Sequence, residues 1–292
     1  MEKLIRLYKT SRKKKMTGVL KTLLLVMGLT IVLIWSLLPI LWTLRISLMS
    51  KVDAFSMPPK LFFYPTFENY IKLFSKAYFG GRFIHYFINS LIVSIGSMSI
   101  CALLGAIGGY TFSRYKFKGD KFLSFSIIAS RMMPPVVLVI PLFLLIKNWG
   151  LYDNLIALIF QYTAFNLPFS TWMMKGFVDE IPVDLEESAM VDGCSKLGAF
   201  FRITSYLIAP GFIATSIYTF ILSWNEFLFA FIMTSTKAKT LAAAAPELIG
   251  EVGVEWGAIA SMGICALLPA VILTLFASRY LIKGMLLGAV KR

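Results

Sequence analysis

The chain has 292 residues, of which 58% are hydrophobic and 15% charged, with a formal net charge of +14. Soluble domains carry roughly 45–50% apolar and about 25% charged residues, so this balance excludes an ordinary water-soluble domain and requires a bilayer as solvent. Cys101, Cys194 and Cys265 lie in or beside apolar blocks with no C-x-x-C spacing, which points to neither a disulfide framework nor a zinc site.

The first element is basic: Lys3, Arg6, Lys9, Arg12, Lys13, Lys14, Lys15 and Lys21 crowd the start of the chain. That density holds the N-terminus in the cytoplasm by the positive-inside rule. The basic residues are spread over loop ends, where anchoring and orientation explain them at less cost than nucleic-acid binding would. An apolar run over 22–44 follows; it is longer than a signal-peptide core and no small-residue cleavage site follows it, so it reads as a retained first span.

Further uncharged runs occur at 86–113, 132–146, 154–174, 203–225 and 256–278. A helix rises 1.5 Å per residue, so about 20 residues cross a hydrocarbon core of about 30 Å. Five of the six runs suffice unaided; the third needs Arg131 and the stretch back to Phe122 inside it. Runs this long are helical, since lipid leaves backbone groups to be satisfied within the segment and barrel strands alternate in short pieces. The expected fold is an all-α membrane protein of six transmembrane helices. Its boundaries are a cytoplasmic basic N-terminus over 1–21, a membrane domain over 22–283 and a cytoplasmic tail over 284–292. External loops fall at 50–83 and 234–255, and a cytoplasmic loop at 179–206.

Two ionisable residues fall inside apolar stretches, where each costs about 2.5–3.5 kcal/mol at a helix centre on insertion scales. Arg131 precedes Met132-Met133-Pro134-Pro135, where two prolines remove backbone donors and should break or kink the third span. It either pairs with the freed carbonyls or meets a solute. Asn166, in the fourth span beside Pro168, Ser170 and Thr171, either glues helices together or lines a path. Trp224, Asn225 and Glu226 close the fifth span. An aromatic face with an amide and a carboxylate suits a saccharide, and an interfacial Trp with a Glu bonded to a partner chain is the competing reading.

The cytoplasmic loop is the most informative segment. Asp179, Glu180, Asp184, Glu186, Glu187 and Asp192 put six of the 15 acidic residues between two apolar runs. Pro182, then Asp184 and Glu187 at capping-box spacing, predict a short helix from Asp184, which Gly193 ends. Glu187 serves there either as a cap for its own helix or as part of a surface offered to a partner.

From Glu187 the residues Glu-Ser-Ala-Met-Val-Asp-Gly, with nine residues between Gly193 and Ile203, closely resemble the EAA loop of bacterial ABC importer permeases. That pattern is E-A-A, three residues, G, nine residues, I-x-L-P; Ser205 and Tyr206 stand where its L-P would be. PTFENYIKLF (65–74), RMMPP (131–135), NLPFSTWMM (166–174), SWNEFLFAF (223–231), EWGAI (255–259) and RYLIKGMLLGAVKR (279–292) resemble the carbohydrate, maltose-type permeases of six spans. The resemblance implies a subunit of the cytoplasmic (inner) membrane with both termini inside. It implies a second permease as heterodimer partner, an ATPase subunit dimer inside, and an extracytoplasmic solute-binding protein delivering a saccharide. Glu186, Glu187, Ser188, Ala189, Asp192 and Gly193 are the implied ATPase-coupling residues. Trp224, Asn225, Glu226, Arg131 and Asn166 are the candidate substrate path. The loop over 234–255, with Ala242 to Ala245, is implied to probe the solute-binding protein.

What the chain lacks is consistent with this resemblance. It has no G-x-x-x-x-G-K-[ST] loop, so ATP and Mg are expected in partner subunits and no cofactor in this chain. With His85 as its only histidine it carries no H-E-x-x-H motif, and it is not expected to be an enzyme. An ion-coupled secondary transporter using Glu226 and Arg131 is the alternative; it leaves the acidic loop unexplained.

Overall fold

The computed structural model describes residues 2–250 and 253–289. In chain order the helices are α1 (Glu2–Ser47), α2 (Lys51–Ala54), α3 (Glu68–Phe74), α4 (Phe83–Arg114), α5 (Asp120–Ser130), α6 (Pro135–Asn148) and α7 (Leu155–Asp179). There follow α8 (Asp184–Val191), α9 (Lys196–Ala199), α10 (Ser205–Leu207), α11 (Ala209–Trp224), α12 (Leu228–Met233), α13 (Leu241–Ala244) and α14 (Trp256–Ala289). A two-stranded antiparallel hairpin pairs Ile249 with Val254 and Gly250 with Gly253. The expected all-helical membrane architecture is the observed one.

The chain forms two compact units, Met1–Tyr70 with Trp256–Ile264, and Ile71–Glu255 with Cys265–Arg292. In the first, Asn69 Nδ2 donates to Ser47 O (2.9 Å) and Met49 O (2.8 Å), tying the end of α1 to the start of α3. The boundary expected at residue 21 is not a structural one, because α1 runs unbroken from the basic segment into the first span. The tail expected over 284–292 likewise continues α14 as far as Ala289, while residues 290–292 lie outside the described residues.

Among the described residues three helices are long and apolar enough to cross a membrane: Lys21–Ser47, Phe83–Arg114 and Trp256–Phe276. Two more spans are bent. α5 and α6 meet at 89°, and the α9–α10 stretch meets α11 at 71°. The third expected span is therefore two helices rather than one, broken at Arg131–Pro134, where the Pro-Pro step removes two donors and Pro134 is extended (ψ 131°). The fourth expected span, α7, has 25 residues and interrupts its apolar run with Gln161, Asn166, Ser170 and Thr171, all buried.

The core of the second unit is α4 packed along α7, with α11 against both. Close approach is possible because Ser97, Cys101, Gly105 and Gly109 recur every fourth residue on the buried face of α4. A β-carbon at Gly105 would stand 3.0 Å from Ser170 Cβ, and one at Gly109 only 2.6 Å from Lys175 N. Small-xxx-small seams of this kind let membrane helices touch backbone to backbone. α4 has 32 residues, about 48 Å of helix, so its two ends carry groups to opposite ends of this unit.

Candidate functional site

At the C-terminal end of α4 lies the acidic segment. The helix predicted from Asp184 begins there, but the capping box does not form: the cap residue is Val183, and no side chain caps the first turn. The end is as expected. Gly193 takes φ +92°, a conformation that costs glycine little. Cys194 N donates to Ala189 O (2.9 Å) and Gly193 N to Met190 O (3.1 Å), the paired bonds of a Schellman cap.

The two adjacent glutamates of α8 part company. Glu187, Ser188, Asp192 and Gly193 are exposed, as is Val191 (87%), whereas Ala189 (7%) and Glu186 (5%) are buried. Glu186 Oε1 accepts from Arg114 Nε (2.8 Å) and Thr204 Oγ1 (2.8 Å), and Oε2 accepts from Tyr110 Oη (2.9 Å). Arg114 also donates through Nη2 to Ile181 O (2.9 Å). Glu186, expected at the coupling surface, instead faces inward. Sequence reasoning misses Tyr110, Arg114 and Thr204 as site residues, although a basic residue at a helix end opposite an acidic loop is a usable signal for Arg114.

The missing Leu-Pro also finds its answer here. The chain enters the fifth span through a π-helical turn over Phe200–Thr204, in which Ser205 Oγ bonds back to Phe201 O (2.7 Å), and it bends near Ile208, just before Pro210.

The interior polar residues form a chain of contacts. Arg131 lies half-buried with its guanidinium over the rings of Phe165 (5.3 Å) and Phe169 (5.2 Å), and Nη1 approaches Asn166 Oδ1 at 3.4 Å. Its charge is thus met by two aromatic faces rather than by the freed carbonyls that the sequence suggested. Asn166, 4% exposed, donates to Ser223 Oγ (3.1 Å), which reaches Ser97 Oγ (3.3 Å). Asn166 thus joins α7 to α11.

The residues closing the fifth span are placed differently from one another. Trp224 is 6% exposed, donates through Nε1 to Ala266 O (3.0 Å) and stacks on Phe220 at 5.6 Å. Its face is taken up by protein, which corrects its reading as a sugar platform. Asn225 is exposed and bonds back to Ile221 O (2.8 Å). Glu226 accepts from Phe229 N (2.9 Å) and Ala230 N (3.2 Å), capping α12.

The other end of α4 holds the segment from Thr234 onward. Asp153, at φ +55°, accepts from four successive backbone N–H groups, those of Ser235, Thr236, Lys237 and Ala238, at 2.9–3.1 Å. Burial raises its pKa, yet these bonds outweigh burial and hold the carboxyl at about 2. Asn89 Nδ2 donates to Lys237 O and Lys239 O, His85 Nε2 lies 2.8 Å from Lys237 O, and Ser90 Oγ accepts from Leu241 N. Ala243 is 1% exposed and packs with Phe229, Leu158 and Tyr162. It is a core residue rather than a probe; the exposed residues of this segment include Ser235, Thr236, Lys237 and Glu247, and Ile249 of the hairpin.

A model of the family described as "Binding-protein-dependent transport system inner membrane component" matches residues 101–286. Among curated relatives, the inner membrane ABC transporter permease protein YcjP of Escherichia coli is 35% identical over 90% of this chain and 94% of its own length. The trehalose/maltose transport system permease protein MalG of Thermococcus litoralis is 30% identical over 94% and 98%. Among solved structures, a bacterial ABC transporter involved in the import of the acidic polysaccharide alginate aligns with a TM-score of 0.70 at 19% identity. It covers 92% of this chain and 98% of its own.

Proposed function

The chain belongs to the family of inner-membrane components of binding-protein-dependent transport systems, the permease subunits of ABC transporters, and on that footing we propose that it is the six-span permease of an ATP-driven saccharide importer. The names of its trehalose and maltose relatives support the solute class. In this reading the solute-binding protein docks outside, a second permease completes the pathway, and a pair of ATPase subunits holds ATP and Mg inside. Alternating access follows from closure of those ATPases.

One observation carries the coupling role. α8 presents Glu187 and Val191 outward on a helix eight residues long, while Glu186 anchors its opposite side. A short helix with a solvent-facing carboxylate near its positive N-terminal end and an apolar neighbour fits a groove in a partner. Glu187→Lys reverses the charge at that surface, and is expected to abolish co-purification of the ATPases and solute uptake while the permease still inserts. Wild-type uptake with full ATPase retention would refute the assignment.

The ion-coupled alternative gains no support. Among the described residues no ion pair joins Arg131 to Glu226; the first is covered by phenyl rings and both oxygens of the second are engaged by backbone N–H groups.

A further inference from the structure

The buried side of α8 carries more than packing. Glu186 is the one acidic residue of the loop that is buried, and its three donors come from two other elements: Tyr110 and Arg114 from the end of α4, and Thr204 from the π-helical turn. Arg114 is as deeply placed as its partner, with side-chain exposures of 9% and 6%. Its second branch grips Ile181 O, in the link that leads into α8. The ring of Tyr110 meets that of Phe200 edge-on at 4.7 Å, so the same residue touches the π turn again.

A buried ion pair of this kind is weak evidence for stability, because desolvation offsets the attraction, and it is costly to break by removing one partner. Its value lies in geometry. One guanidinium and two hydroxyl donors fix the carboxylate in one arrangement. A π turn adds the second observation: π turns are rare, occur mostly as single turns and are frequent at functional sites, and here the turn carries Thr204 to the carboxylate.

We infer that Glu186 is a positioning residue that locks α8 to the end of α4 and to the π turn, so that force applied at Glu187 moves all three as one body. This rests on the coupling reading above, and it differs from it in assigning Glu186 no contact with the ATPase. Without the lock, α8 would follow the ATPase while α4 and the fifth span lagged behind.

The test uses the whole complex, purified with its ATPases, with ATP plus vanadate as the trapping probe. Nitroxide labels go on Thr111→Cys of α4 and Val191→Cys of α8, both exposed, in a background with Cys101, Cys194 and Cys265 replaced. The intact hub keeps one narrow label-to-label distance before and after trapping. Glu186→Gln shifts and broadens it on trapping while ATPase co-purification is unchanged, and uptake per ATP hydrolysed falls about tenfold, as loss of a charge-assisted bond implies. Should Glu186→Gln fail to assemble, Thr204→Val keeps the ion pair, cuts only the link to the π turn, and should give a smaller broadening. A distance that already shifts in the unmodified hub, or variants in which neither distance nor coupling changes, would overturn the inference. Loss of ATPase from Glu186→Gln in the manner of Glu187→Lys would place Glu186 at the docking surface instead. Failure of the unmodified chain to retain ATPases would remove the coupling reading itself.

Discussion

At the scale of single residues, the carboxylates show how neighbours decide a role. Asp153 ionises below its usual 3.8 because four N–H donors favour the charged form over the opposing effect of burial. A depressed folded pKa contributes stability that is complete above 3.8 and disappears as pH falls through about 2. Limited proteolysis of the 234–250 segment should therefore be slow at neutral pH and accelerate in that acidic window. Asp153→Asn should expose the segment to protease at neutral pH, since bonds to a charged acceptor contribute about 1.5–3 kcal/mol each. Equal cleavage of variant and parent would show that the clasp is dispensable. Glu226 gives a second case: both oxygens cap α12, so Glu226→Ala should lower thermal stability by about 0.5–2 kcal/mol. A large fall in uptake at unchanged melting temperature would return Glu226 to the solute path.

At the scale of elements, the decisive contact is the α4–α7 seam. Ala at Gly109 would put its β-carbon 2.6 Å from Lys175 N, a backbone atom that cannot swing away. Gly109→Ala should cost about 1–3 kcal/mol or more by forcing the helices apart. Gly28→Ala is the control, with nothing within 4 Å of the added carbon. Detergent-phase thermal unfolding of the two variants should separate clearly, and equal midpoints would contradict the packing described. The stripe Ser97-Cys101-Gly105-Gly109 was open to view in the sequence, whereas its partner helix was not, because a small residue announces a close approach without naming what approaches. The third span illustrates the complementary limit. Pro134-Pro135 announces a break, but an 89° bend depends on what packs on either side.

At the scale of the molecule, α1 exposes its apolar side chains from Leu23 to Leu44, a surface suited to lipid. The second unit separates its two ends along α4, with Arg114 and α8 at one and Asp153 and the 234–250 segment at the other. Positive-inside bias predicts the cytoplasm for the first end. Single-cysteine variants at Val191 and Ser235 should label with a membrane-impermeant thiol reagent from opposite faces, Val191 only in inverted vesicles. Labelling of both from one face would reject the orientation.

The sequence alone determined the bilayer as solvent, the helical class and the end of α8 at Gly193, because these depend on composition, apolar run length and local turn chemistry; the family was legible through the resemblance of the acidic loop and the other matching segments. Tertiary structure alone decided that Glu186 faces inward while Glu187 faces out, that Trp224 and Ala243 are core, that Arg131 meets phenyl rings, and that Asp153 clasps a segment about 80 residues away. Adjacent residues on a helix point about 100° apart. Which of them meets a neighbour is settled by elements distant in the chain, and no local pattern records where those elements lie.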